Sequence, residues 1–472
     1  MKCKDIEISV EPGNPFAEDR LNRQPLAHNL TEIANIYADT GAVIALDGEW
    51  GSGKTTFVRM WHQMLLDKNY KSICFNAWNT DFQDDPFIAI MSELREVFQK
   101  STTFNEVVKS GAKIGLKVAG EVTKALIHKT TGVDTNAIKV GIDELVTQCY
   151  QQMSDYQGKK ESLENFRNQL SEFVASEANG NPVFFFIDEL DRCNPHYAVK
   201  LLERVKHLFE VPNIIFVLAV NINQLQYAVQ GFYGSSNIDG KEYLRRFIDI
   251  EYTLPTPNME EYCKFLFDAY GFDKFFNNEF VRNRNLQLEG QAFYDISCDI
   301  IVASNINLRV TNKIFAYTRL ALSGFNFMQH FSADLFFLLC YFKIMNRLFY
   351  NQIRIGEFSI QELLNAIERN LPEPIFHSDD VSTMHHISYA VATLLIQYNY
   401  SQRGDLREPN FKGKQADSKS AMDFPIESSK FDLEKLNEAL TYESQNRYNL
   451  YGLQSALNKI DLVDSLKLTG IN

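Results

Sequence analysis

Four apolar runs punctuate the first half of the chain, at residues 42–46, 72–75, 183–187 and 214–220. None alternates with polar positions, and each is bounded by turn-forming or charged residues. Strands covered on both faces read this way, so the runs predict a parallel sheet flanked by helices, an α/β domain. A fifth run, 247–252, does alternate, which predicts an edge strand ahead of the turn Leu254-Pro255-Thr256-Pro257. Between Pro86 and Pro182 there is no proline, and most of the stretch reads as helix. Within it Lys109, Lys113, Lys117, Lys124 and His128 fall near one helical face, with Val107, Ile114, Val118, Val122 and Leu126 elsewhere around it, a basic amphipathic segment. Beyond residue 258 the pattern is helical almost throughout. Residues 335–350 predict one buried core helix, 402–430 an exposed polar loop, and 432–468 a last helical stretch.

Composition narrows the class. A chain of 472 residues exceeds the size at which one hydrophobic core stops growing, which predicts two or three domains. With 45% hydrophobic and 23% charged residues it is composed as a folded protein, not a disordered one. The net charge of -13 repels phosphate backbones on average, which disfavours a protein that coats nucleic acid. Seven scattered cysteines, odd in number and without a CxxC pair, suit neither a disulfide framework nor a zinc knuckle. The amino terminus lacks an apolar secretory core, and no run approaches the roughly 18 apolar residues of a membrane span. A cytoplasmic protein with reduced thiols is the expectation.

The octet Gly48-Glu49-Trp50-Gly51-Ser52-Gly53-Lys54-Thr55 fits G-x-x-x-x-G-K-[ST] at every fixed position. A chance match in a chain of this length has a probability of roughly one or two in a hundred. Context lowers it, because the octet follows the run 42–46 and opens into a helical stretch. Glycines let successive backbone N–H groups point into one concavity, and the helix beginning there adds the positive end of its dipole. Lys54 is placed to reach β- and γ-phosphate oxygens, the Thr55 hydroxyl to ligate Mg²⁺, and Thr56 to touch the α-phosphate. Such a site needs a second anchor for the metal and a base for the attacking water. Phe184-Phe185-Phe186-Ile187-Asp188-Glu189 offers both, with Asp188 for the metal and Glu189 as general base. An apolar run ending in acids is weak evidence alone and strong evidence downstream of such a loop. Asn312-Lys313-Ile314-Phe315 lacks the aspartate of a guanine-reading element, so ATP is favoured over GTP.

Beyond these elements the chain resembles the KAP family of P-loop ATPases over residues 14–320. The resemblance rests on the octet, on Phe75-Asn76-Ala77-Trp78, on Ile187-Asp188-Glu189-Leu190-Asp191-Arg192-Cys193, on Tyr243-Leu244-Arg245-Arg246-Phe247, and on the lead-in Asn14-Pro15-Phe16-Ala17-Glu18-Asp19-Arg20-Leu21-Asn22-Arg23. It implies an additional-strand P-loop NTPase sheet with a strand between those bearing Lys54 and Asp188, for which 72–75 is the candidate, and a lead-in near the nucleotide base. Together with the helical pattern beyond residue 258, it divides the chain into a P-loop domain at 1–257 with a helical insertion at about 100–165, a helical lid at 258–330, and a helical carboxy-terminal domain at 331–472. The insertion often spans a membrane in that family; the lysines here exclude a conventional span.

The resemblance further assigns Asn221 to a sensor that orients the lytic water, Arg245 and Arg246 to the arginine-finger position, worth roughly 10³ to 10⁵ in rate, and Arg309 to a sensor arginine of the lid. Asp191 and Arg192 order the loop after Asp188, meet a neighbouring subunit, or simply cap a helix. Trp50 and Trp78 pack on each other or on a nucleotide, core packing being the leading role for Trp78. The basic segment reads as a solvated face, a contact for a protein partner, or a contact for a membrane surface or nucleic acid. Function is then expected to be an ATP-hydrolysing, Mg²⁺-dependent switch, or alternatively a scaffold whose self-assembly or effector binding depends on ATP occupancy. Prokaryotic members of the family are associated with exclusion of phages and plasmids.

Overall fold

The computed structural model describes residues 8–82, 86–98, 107, 156–177, 180–209, 211–277, 287–323, 332–378, 381–402, 426–445 and 452–465. The basic segment carrying Lys109 to His128 lies outside the described residues, as does most of the polar stretch 402–430. Two compact units divide the chain, Ile8–Thr256 and Pro257–Asn472. No helix among the described residues is long and apolar enough to cross a membrane.

The first unit is built on five parallel strands, β1 (Ala42–Asp47), β2 (Ser72–Asn76), β3 (Val183–Asp188), β4 (Ile214–Val220) and β5 (Ile250–Thr253), in the order β2-β3-β4-β1-β5. The strand between those bearing the phosphate loop and Asp188 is therefore β4. The 72–75 run forms β2 at the sheet edge, which corrects the expectation that it intervenes. Chain order places β2 between β1 and β3, but spatial order is decided by which crossover each helix makes. β5 lies at the other edge and begins three residues later than the alternating run.

Described helices of this unit are α1 (Gln24–Ile36), α2 (Lys54–Asp67), α3 (Pro86–Val97), α4 (Tyr156–Glu177), α5 (Pro195–Phe209), α6 (Ile222–Tyr233) and α7 (Gly240–Leu244). The sheet's period of two sorts the strand residues between two cores. Ile44, Leu46, Phe184, Phe186, Val217 and Ala219 face α1 and α2. Val43, Ala45, Phe185, Ile187, Phe216 and Leu218 face α3 to α6. On the first face Trp61 of α2 is fully buried against Phe186 at 5.1 Å and Phe184 at 5.8 Å, and its indole donates to the Thr31 hydroxyl of α1 at 2.9 Å. A buried indole needs such a partner, and this one fixes α2, which begins at the phosphate loop, to both the sheet and α1.

The second unit is helical: α8 (Met259–Ala269), α9 (Phe272–Phe276), α10 (Gln287–Ser304), α11 (Leu308–Ser323), α12 (Ala333–Met345), α13 (Arg347–Ile355), α14 (Ile360–Asn370), α15 (Val381–Gln402), α16 (Leu433–Gln445) and α17 (Leu453–Ser465). One core joins residues from Cys263 to Val463. The single helix expected over 335–350 is two. The chain leaves helical geometry at Asn346 (φ −144°, ψ 86°), whose side chain then accepts the Phe349 N–H and caps α13. Lys343 of α12 is buried and paired with Asp461 of α17 at 2.9 Å.

Candidate functional site

Four strand ends meet along the carboxyl edge of the sheet. Register aligns Asn76 with Asp188, Asp188 with Ala219, and Asp47 with Val220, so the loops after β1, β2, β3 and β4 open side by side. This is the edge at which parallel α/β sheets bind ligands. The loop from Gly48 to Gly53 leaves β1 here and turns into α2. Gly51 and Gly53 take φ of 82° and 84°, a left-handed backbone that a side chain would strain, and Gly53 is the residue that caps α2. A Cβ on Gly48 would stand 3.0 Å from Ser52 Oγ, so the loop closes tightly on itself.

Lys54 opens α2, is buried, and turns its ammonium back to the carbonyls of Gly48 and, at 3.1 Å, Glu49. Burial lowers its pKa; the charges of Asp191, Asp188 and Asp47 oppose that shift. Burial and the Glu189 charge push the nearby Asp188 carboxyl above the ordinary carboxylate range, and the Thr55 hydroxyl beside it opposes that shift. A hydroxyl at the start of α2 and a carboxylate at the end of β3 form the oxygen donor pair a hard cation takes. Ser52 Oγ is buried without a hydrogen-bond partner inside the loop. That orphaned hydroxyl, the glycine-closed cradle and the Thr55–Asp188 pair fit a bound polyphosphate with Mg²⁺.

Glu189 occupies φ 60°, ψ 24°. The other described non-glycine residues with positive φ are all asparagines, which tolerate that region far better than glutamate. Strain of this kind persists where the surroundings over-determine the residue. Here Asn76 Nδ2 donates to Oε2 at 2.9 Å, and Arg192 Nη1 meets Oε1 at 2.7 Å. A carboxylate has about four acceptor sites, so two fixed bonds aim it and leave sites for a water. Arg192 also lies 5.6 Å from the ring centre of Trp78. Trp78 is 50% exposed, which corrects its expected place in the core: it follows β2 in a one-turn 3₁₀ helix (Trp78–Thr80), beyond the sheet's buried alternation.

Asp191 stands between three loops. Its Oδ2 accepts the Trp50 indole N–H at 2.6 Å and the Asn221 backbone N–H at 3.1 Å, tying the phosphate loop to the end of β4. Asn221 is buried at that end and caps α6, its side-chain oxygen accepting the Gln224 N–H at 3.1 Å. Asp47 binds the next N–H, that of Ile222, at 2.8 Å. Arg245 and Arg246 are not at this edge of the sheet. They lead into β5, whose preceding residue Asp249 is bonded to Val43 near the start of β1, while the phosphate loop leaves the opposite end of that strand. Arg245 pairs with exposed Glu242 at 2.9 Å. Arg309 belongs to α11 of the second unit.

Sequence reading placed Lys54, Thr55, Asp188 and Glu189 together through two contiguous motifs. It gave no role to Asn76, though Asn76 ends a strand within a quoted motif, nor to Arg23, whose guanidinium donates to the Ser52 carbonyl at 2.7 Å and the Gly53 carbonyl at 3.1 Å.

A family model described as the KAP family P-loop domain matches residues 23–319. The phage T7 exclusion protein of Escherichia coli (strain K12) is 20% identical over 270 residues, covering 54% of this chain and 35% of that protein, so the chain spans little more than a third of that relative's length. Among solved structures, the Aeropyrum pernix ORC2 protein in ADPNP–ADP complexes is similar at 13% identity and a TM-score of 0.29, over 94% of this chain and 86% of that one. A DNA replication initiation factor is similar at 10% identity and a TM-score of 0.26, over 86% and 92%. Neither structure is close enough to bear on the chemistry.

Proposed function

The chain belongs to the KAP family of P-loop domains, and on that premise we propose that it is a Mg²⁺-dependent ATPase that works as a molecular switch. The observation that carries the reading is the glycine-closed loop with its buried Lys54, set at one sheet edge beside Asp188 and a strained, doubly held Glu189. Lys54 turns from the Gly48 and Glu49 carbonyls to the β- and γ-phosphate oxygens, a short swing about an already buried stem. Thr55 and Asp188 would hold Mg²⁺, which would neutralise charge on the phosphate oxygens. Glu189, aimed by Asn76 and Arg192, accepts the proton of the attacking water. Asp191 holds Trp50 and the Asn221 amide in one arrangement, so a change in the phosphate loop is felt at the end of β4.

General-base catalysis contributes about 10² to 10⁴ in rate. Glu189→Gln therefore keeps ATP affinity and loses phosphate release by about that factor. Hydrolysis by this variant at the unmutated rate would remove Glu189 from the mechanism.

The name of the Escherichia coli relative supports a role in excluding phage. In a host where the unmutated protein reduces plating of a phage, Lys54→Ala is expected to restore plating. Equal protection by that variant would take ATP out of the defence.

A further inference from the structure

Arg23 lies behind the phosphate loop, 3% exposed, at the residue before α1. Asp19 holds its backbone there, the carboxylate accepting the N–H groups of Leu21, Arg23 and Gln24 as the chain turns into the helix. From that point the guanidinium fork takes two consecutive carbonyls, Ser52 and Gly53. A trans peptide carries its C=O and the following N–H on opposite sides. Drawing these two carbonyls toward Arg23 turns the N–H groups of Gly53 and Lys54 away from it. The opening N–H groups of α2 have no acceptor within the helix, which is what makes a helix start of this kind receptive to phosphate. Burial lowers the Arg23 pKa to about 10 while Asp19 raises it, so the group is charged at neutral pH.

We propose that Arg23 is a positioning residue of the phosphate loop: its fork sets the Ser52–Gly53 and Gly53–Lys54 peptides with their N–H groups turned toward the phosphates, and its charge behind the loop favours a polyphosphate. The inference rests on the reading that this loop binds ATP. Neither lysine nor glutamine reproduces the geometry. Lysine keeps the charge but offers a point donor in place of a planar fork, and glutamine keeps a single short amide.

The test measures ATP and ADP Kd, and KM and kcat for hydrolysis, for the unmutated protein, Arg23→Lys and Arg23→Gln, with circular dichroism and an unfolding midpoint to establish that each is folded. Losing a charge-assisted buried hydrogen bond predicts Kd and KM raised about 10- to 100-fold in Arg23→Gln, less in Arg23→Lys, with kcat at saturating ATP nearly unchanged. A residue that serves only the fold lowers the unfolding midpoint and leaves the Kd of folded protein as it was. That result, or loss of folding in both variants, overturns the proposal. Failure of the unmutated protein to bind ATP overturns the functional reading and this inference together, whereas unmutated binding with unaltered variants removes the inference alone.

Discussion

Three carboxylates crowd four positions at the end of β3, and the cost of that crowding falls on Asp188. Its pKa is raised above the usual 3.8, first by burial and then by the charges of Glu189 and Asp191, with the Thr55 hydroxyl opposing. A carboxyl with a raised folded pKa contributes stability that is complete below its unfolded pKa and is lost as pH rises through the folded one. At neutral pH without metal the ionised group thus weighs against the fold. Asp188→Asn in chelator at pH 7 is expected to raise the unfolding midpoint. The gain shrinks as pH falls and the unmutated carboxyl takes up its proton. With ATP and Mg²⁺ the order reverses, because only the unmutated protein gains from the ligand. A midpoint lowered by the substitution in chelator would show that burial does not burden this carboxylate.

Among elements, the sheet was legible because strands buried on both faces leave unbroken apolar runs, and β1, β3 and β4 are buried along nearly their whole length. Their spatial order was not, since the pattern carries no record of which strand each crossover helix delivers its successor beside. The same limit applies to the site. Lys54 with Thr55 and Asp188 with Glu189 lie within contiguous motifs, so each pair could be read from sequence. Asn76 meets Glu189 only because β2 pairs with β3 in the register that aligns Asn76 with Asp188. Arg23 meets the loop through α1, and Asp191 meets Trp50 across 141 positions. The break at Asn346 was hidden for another reason. Asparagine is only a weak helix breaker, and the apolar positions continue in phase across it; its worth as a cap for α13 decides the outcome.

At the scale of the whole molecule, the parallel sheet gathers the loops after β1, β2, β3 and β4 at one edge, and every residue assigned to phosphate, metal or water chemistry comes from those loops or from Arg23 beside them. The family match runs from residue 23 to residue 319, through the sheet unit and into the helical one, leaving every described helix from α12 onward beyond it. The direct test of the central claim is steady-state phosphate release from ATP by the purified chain and by Lys54→Ala, each with Mg²⁺ and with chelator. The account predicts release by the unmutated protein with Mg²⁺, and its loss on chelation or on substitution of Lys54; release that persists in Lys54→Ala, or that needs no Mg²⁺, would contradict it.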